Sequence, residues 1–162
     1  MRASLLLLLS LFLAGCAAPG APGPGANLRV HALRLRPGQD VFDELQRFAK
    51  ARRIEAGVVL TCAGSVRRAA IRFADRPAPA VLEGKREIVS LVGTVSASAG
   101  CHLHVALADG AGATIGGHLA SGTLVYTTAE IAIGEIDDVT FERRPDPETT
   151  YRELVVTPRE PR

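Results

Sequence analysis

The stretch Cys101-His-Leu-His-Val-Ala-Leu-Ala-Asp-Gly-Ala-Gly-Ala-Thr-Ile-Gly-Gly-His-Leu119 carries three of the chain's four histidines within 17 positions. Its centre, Asp109-Gly-Ala-Gly-Ala113, is rich in residues that accept positive φ and so reads as a turn between two strands. Side chains at i and i+2 of a strand share a face, so His102 and His104 are neighbours. With the turn centred on Ala111, His104 faces His118 and His102 faces Ala120. Directly opposed Cβ atoms lie about 4.5–5.5 Å apart, within reach of one shared ion. The reading depends on register, because a slip of one residue sends His118 to the other face.

Three converging imidazoles suit Zn²⁺ or another divalent transition metal that prefers nitrogen ligands. His102, His104 and His118 with no evident fourth protein ligand describe an open site of the catalytic kind, not a closed structural one. The competing reading is three ordinary half-buried strand histidines, and the convergent spacing favours the metal. Cys101 alternates away from His102 and His104 and is left out of the ligand set. His31, alone in an early strand, is assigned no role.

Outward from the hairpin the pattern is mostly β. Leu28 to Leu35 reads as a strand and Pro37-Gly38-Gln39 as a turn. Asp40 is then an N-cap for a helix over 40–53, with Val41, Phe42, Leu45, Phe48 and Ala49 on one apolar stripe. Asp43 and Glu44 in its first turn, and Lys50, Arg52 and Arg53 in its last, complement the helix dipole. Val58 to Ala63 reads as a doubly buried strand, Gly64-Ser65 as a turn, and Val66 to Ala74 as the next strand. Asp75 to Ala80 is a loop, and Glu87 to Ser96 is a strand rich in β-branched residues. Beyond the hairpin, Gly122 to Ile136, Val139 to Arg143 and Tyr151 to Thr157 read as strands, the last closing the sheet, with a frayed tail from Pro158. One helix and about eight strands joined by short turns make an α+β domain with a mostly antiparallel sheet. The chain has no GxGxxG, P-loop, HExxH, CxxC or GxSxG motif.

The N-terminus is read separately. Met1-Arg2 precedes an apolar run from Leu5 to Leu13, interrupted by Ser10. About nine residues fit a signal-peptide core and are too few to span a bilayer as a helix. Leu13-Ala-Gly-Cys16 resembles a bacterial lipobox, which implies a signal peptide over 1–15 and acylation of Cys16. Residues 16–27, dense in Pro and Gly, read as a tether that buries no core. Residues 28–157 form the domain and 158–162 a tail. The expected setting is the cell envelope, with the lipid on Cys16 holding the domain at a membrane. The remaining cysteines, Cys62 and Cys101, read as two buried thiols.

The chain has 19 Lys+Arg and 17 Asp+Glu. Removing the signal peptide removes only Arg2, so the mature domain stays near neutral and lacks the electrostatic footprint of a nucleic-acid binder.

Taken in order, Leu35-Arg-Pro-Gly-Gln-Asp40, Gly64-Ser-Val66, Glu87-Ile-Val-Ser-Leu-Val-Gly-Thr94, His102-Leu-His104, Gly116-Gly-His-Leu119 and Thr128-Ala-Glu130 resemble the plant-and-prokaryote-conserved (PPC) domain. The resemblance runs from about Leu28 to Thr157. It implies a domain that associates as a homotrimer and is similar in fold to acetolactate decarboxylase. That zinc enzyme likewise uses a His-x-His pair and a later His, which match His102, His104 and His118. It also uses acidic and Arg side chains, for which Glu130 and Arg67 are the weak counterparts here, both more simply read as surface or ion-paired residues. In plants the domain accompanies AT-hook segments in DNA-binding proteins. This chain has no Arg-Gly-Arg-Pro hook, so a DNA-binding label would be inherited. Three functions follow as expectations: a lipid-anchored metal protein that binds or acts on a small molecule, a non-enzymatic trimeric envelope module, or, least favoured, a DNA-binding protein.

Overall fold

The computed structural model describes residues 27–159. The expected signal peptide, Cys16 and nearly all of the expected tether lie outside them. Eight strands and one helix appear among the described residues: β1 (Leu28–Leu35), α1 (Val41–Arg52), β2 (Gly57–Arg72), β3 (Ala80–Ser96), β4 (Gly100–Ala108), β5 (Thr114–Leu119), β6 (Leu124–Ile136), β7 (Val139–Pro145) and β8 (Arg152–Pro158). Six strands form one antiparallel sheet in the order β1-β6-β2-β3-β4-β5. The sheet curls until β5 reaches the far end of β2, pairing Ile71 with Leu119 and Arg72 with His118.

Helix α1 forms where its stripe and caps foretell. Asp40 accepts from the Asp43 N–H and, through its second oxygen, from Gly122 N–H at 2.6 Å. One carboxylate therefore caps the helix and ties it to the start of β6. Arg53 ends the helix in the left-handed conformation. Val41, Leu45 and Ala49 pack with Ile54, Val66, Ile71, Val95, Leu103, Leu107 and Ile133 in a single apolar core. This core covers one face of the sheet. His31 on β1 touches Phe48 of the helix edge-on, so by alternation Leu28 and Val30 point to the opposite face. Leu103 and Val105 face the core, which leaves His102 and His104 on that outer face as well.

The sequence reading needs three corrections. Gly64-Ser65 is not a turn, since β2 runs unbroken through it with register shifts against β6. Gly64 has φ 153°, and a Cβ there would lie 2.1 Å from the Thr128 carbonyl oxygen. The glycine serves close strand approach, not reversal. Strand β3 starts at Ala80, well before Glu87, because its charged first half pairs with β2 alone. Tyr151–Thr157 does not close the main sheet. Strand β8 pairs with β7 as a separate two-stranded ribbon, from Val139↔Pro158 to Pro145↔Arg152, so Pro158 is in a paired position. Such a ribbon is marginal alone. It is held by Phe141, whose side chain is buried and whose N–H donates to the Glu55 carbonyl.

Candidate metal centre

The hairpin of β4 and β5 has the register expected from its turn. His104 is the direct partner of His118, and pairing continues to Ala108↔Thr114. The turn is set by Asp109, whose Oδ1 accepts from the Ala111 and Ala113 N–H groups. Behind the site, Gly93 on β3 has φ 134°, and a Cβ there would lie 2.1 Å from the His102 carbonyl oxygen. Glycine at this position lets β3 close on β4 where His102 sits.

One ligand nitrogen from each of His102, His104 and His118 lies within 4.8 Å of the others. The His102 and His118 rings are nearly parallel, with centroids 5.1 Å apart, and the His104 ring stands across His118 at 4.3 Å. His102 Nε2 and His118 Nδ1 are 3.1 Å apart, a hydrogen bond in which one ring donates and the other accepts. Two nitrogens at the usual Zn–N distance of 2.0–2.1 Å in a tetrahedron are about 3.3 Å apart. The donor set and spacing therefore fit a nitrogen-preferring divalent ion.

Burial, then the Arg143 charge, lowers the pKa of His102, with His104 and Arg72 adding to the effect and Glu153 opposing it. Burial, then Arg72, lowers that of His118, helped by His104 and His102. Both shifts favour the neutral imidazole that a metal needs.

His102 and His118 open onto a cleft of about 1280 Å³. One wall is the curled end of the main sheet, with Arg72, and the loop that follows β2, with Asp75 and Arg76. The other is the ribbon, with Phe141, Glu142 and Arg143 from β7 and Tyr151, Arg152 and Glu153 from β8. The two weak candidates for chemistry, Glu130 and Arg67, are exposed and do not line it. Glu130 is a register partner of Ala63 and Arg34. Cys62 and Cys101 are free and half-buried, so the expected pair of thiols is present, though neither is fully enclosed. Burial pushes both thiols up to about 11.

The sequence reading missed Arg72 and Arg143. Arg72 reaches the site only through the β5–β2 closure, and Arg143 only through the ribbon, and no local pattern announces either. It also assigned nothing to His31. His31 Nε2 lies 2.9 Å from Oε2 of Glu135, a carboxylate buried to 2% exposure that Arg29 also approaches at 3.6 Å. This network ties β1 to β6 away from the cleft.

Residues 23–137 match the Plants and Prokaryotes Conserved (PCC) domain, and the chain belongs to that family. A hypothetical protein from Salmonella cholerae-suis shares the fold with a TM-score of 0.82 at 39% identity, over 85% of this chain and 99% of that one. A metal-containing protein from Archaeoglobus fulgidus matches with a TM-score of 0.67 at 29% identity, over 81% of this chain and 95% of that one. The bifunctional protein GlmU of Synechococcus sp. is 46% identical over 142 residues, which is 86% of this chain and 23% of that protein. The chain thus spans under a quarter of the length of these GlmU relatives from Synechococcus.

Proposed function

We propose that this chain is a lipid-anchored, homotrimeric protein of the cell envelope whose His102, His104 and His118 hold a divalent transition metal, Zn²⁺ in the first instance, beside a small-molecule cleft. The observation that carries the reading is the convergence of three ligand nitrogens within 4.8 Å at the edge of that cleft. The metal-containing relative from Archaeoglobus supports it. When bound, zinc would supply a Lewis acid that polarises a carbonyl or lowers the pKa of a water. The chain's own part is to present three imidazoles, two of them biased toward the neutral form, and to leave one side of them open to the cleft. Similarity in fold to acetolactate decarboxylase stays an analogy and assigns no reaction.

Lipidation rests on Leu13-Ala-Gly-Cys16, and trimerisation on the family resemblance. The trimer is supported by Val30, Leu60 and Val92, exposed at 58%, 46% and 51%. Such side chains on the sheet face away from α1 invite burial against another copy. The same apolar face favours a second reading, an envelope interaction module in which the metal only stabilises the fold. DNA binding is the least supported, because 19 basic against 17 acidic residues leave the chain near neutral.

Elemental analysis of the chain expressed from Asn27 onward, beside a His104→Ala variant, tests the metal. The expected result is about one transition metal per chain, lost in the variant. No metal in either makes the histidines structural.

A further inference from the structure

We infer that the cleft recognises small oxyanions, carboxylates or phosphate groups, which Arg72 of the main sheet and Arg143 of the ribbon clamp beside the histidines. This deepens the proposed metal centre and rests on that reading for the role of the imidazoles, though the arginine pair can be tested without it.

The placement follows from the pairing. Arg72 is the direct register partner of His118, which puts the two side chains on one face. Thr94 is the direct partner of His102. Arg143 reaches over from the ribbon and donates from Nη2 to Thr94 Oγ1 at 3.2 Å. One guanidinium therefore flanks the triad on the His118 side and the other on the His102 side, and both line the cleft.

Neither arginine forms an ion pair among the described residues. The acids of the cleft are engaged or peripheral. Glu142 is paired with Arg144 at 2.7 Å, Glu153 accepts from the Thr149 hydroxyl at 3.0 Å, and Asp75 is exposed. Two half-buried, uncompensated guanidiniums are unusual in a chain so near neutrality. Their planar forks match carboxylate and phosphate oxygens two at a time. The lining holds four arginines (Arg72, Arg76, Arg143 and Arg152) against the three acids. Arg143 lies beyond residues 23–137, the part matched to the family. Half of the clamp is therefore supplied from outside that part.

The test is calorimetric titration of the full-length chain in detergent with inorganic phosphate and, separately, with succinate, at fixed ionic strength and with chloride as control. The titrations use zinc-loaded and EDTA-treated protein, and zinc is quantified in every sample. One of the two anions is expected to bind and to name the source of the oxyanion. Its affinity should fall about tenfold or more in Arg143→Gln and in Arg72→Gln, with zinc content unchanged. Arg34→Gln removes the same charge from β1, outside the cleft, and should bind as the parent does. Arg72 stands on the main sheet, so its variant reads the clamp even if the ribbon of Arg143→Gln detaches. Binding of neither anion above chloride, or equal binding in parent and both cleft variants, overturns the clamp. Zinc-free protein that still binds the anion in an arginine-dependent way sustains the clamp while the metal reading fails.

Discussion

His102 and His118 are held below the ordinary histidine value, so at pH 7 their rings are neutral. A metal then displaces few protons from them, and its affinity should change little between pH 8 and 7. It should fall below about pH 6.5, where protons begin to compete. Zinc competition titrations at pH 8, 7, 6 and 5 check this. The same shifts act on the apo fold. The unfolded chain binds more protons than the folded one below the ordinary histidine value of about 6.5, so stability falls as pH drops from there toward the lowered folded values. Denaturation of the EDTA-treated protein at pH 7.5 and 5.5 should show a loss that shrinks when both rings are replaced by Gln. Gly93 is a second sensitive residue. Gly93→Ala drives a Cβ toward the His102 carbonyl oxygen at an unfavourable φ. It should cost roughly 1–3 kcal/mol, read from denaturant midpoints. Away from the cleft, Glu135→Ala breaks the link to His31 and should cost about 1.5–3 kcal/mol with zinc content intact.

At the scale of elements, the ribbon and the hairpin are separable. Phe141 is the ribbon's buried anchor. Phe141→Ala should raise amide exchange across β7 and β8 while β4 and β5 stay protected, measured by hydrogen–deuterium exchange. The same division explains what could be read from the chain. The β4–β5 hairpin is local, so alternation and turn chemistry place His104 against His118 without knowledge of the rest. Helix α1 is equally local, its stripe and caps being contiguous. The continuity of strand β2 is not legible in the sequence, because glycine stands both at turns and where backbones nearly touch, and only the proximity of Thr128 tells which applies at Gly64. The ribbon is not legible either, because Leu154 and Val156 alternate as any strand does, and which edge receives them is a question of tertiary structure. Arg72 and Arg143 join the site through pairings far apart in the chain, and these leave no local signature.

For the whole molecule, one sheet face is covered by α1 and the other carries both the imidazoles and exposed aliphatic side chains. If copies associate through that outer face, Val30→Glu together with Leu60→Glu should convert a trimer to a monomer in multi-angle light scattering. The fold of the monomer should survive, since neither side chain belongs to the core.

All three histidines of the proposed metal centre fall within positions 102–118. An unfolded chain therefore keeps them within one short loop, where they can still chelate. Ion binding to the denatured ensemble subtracts from the stabilisation that binding to the native state provides. Zinc should thus raise the melting temperature by less than its native-state affinity alone would give, and a short peptide spanning the hairpin should retain a measurable part of that affinity.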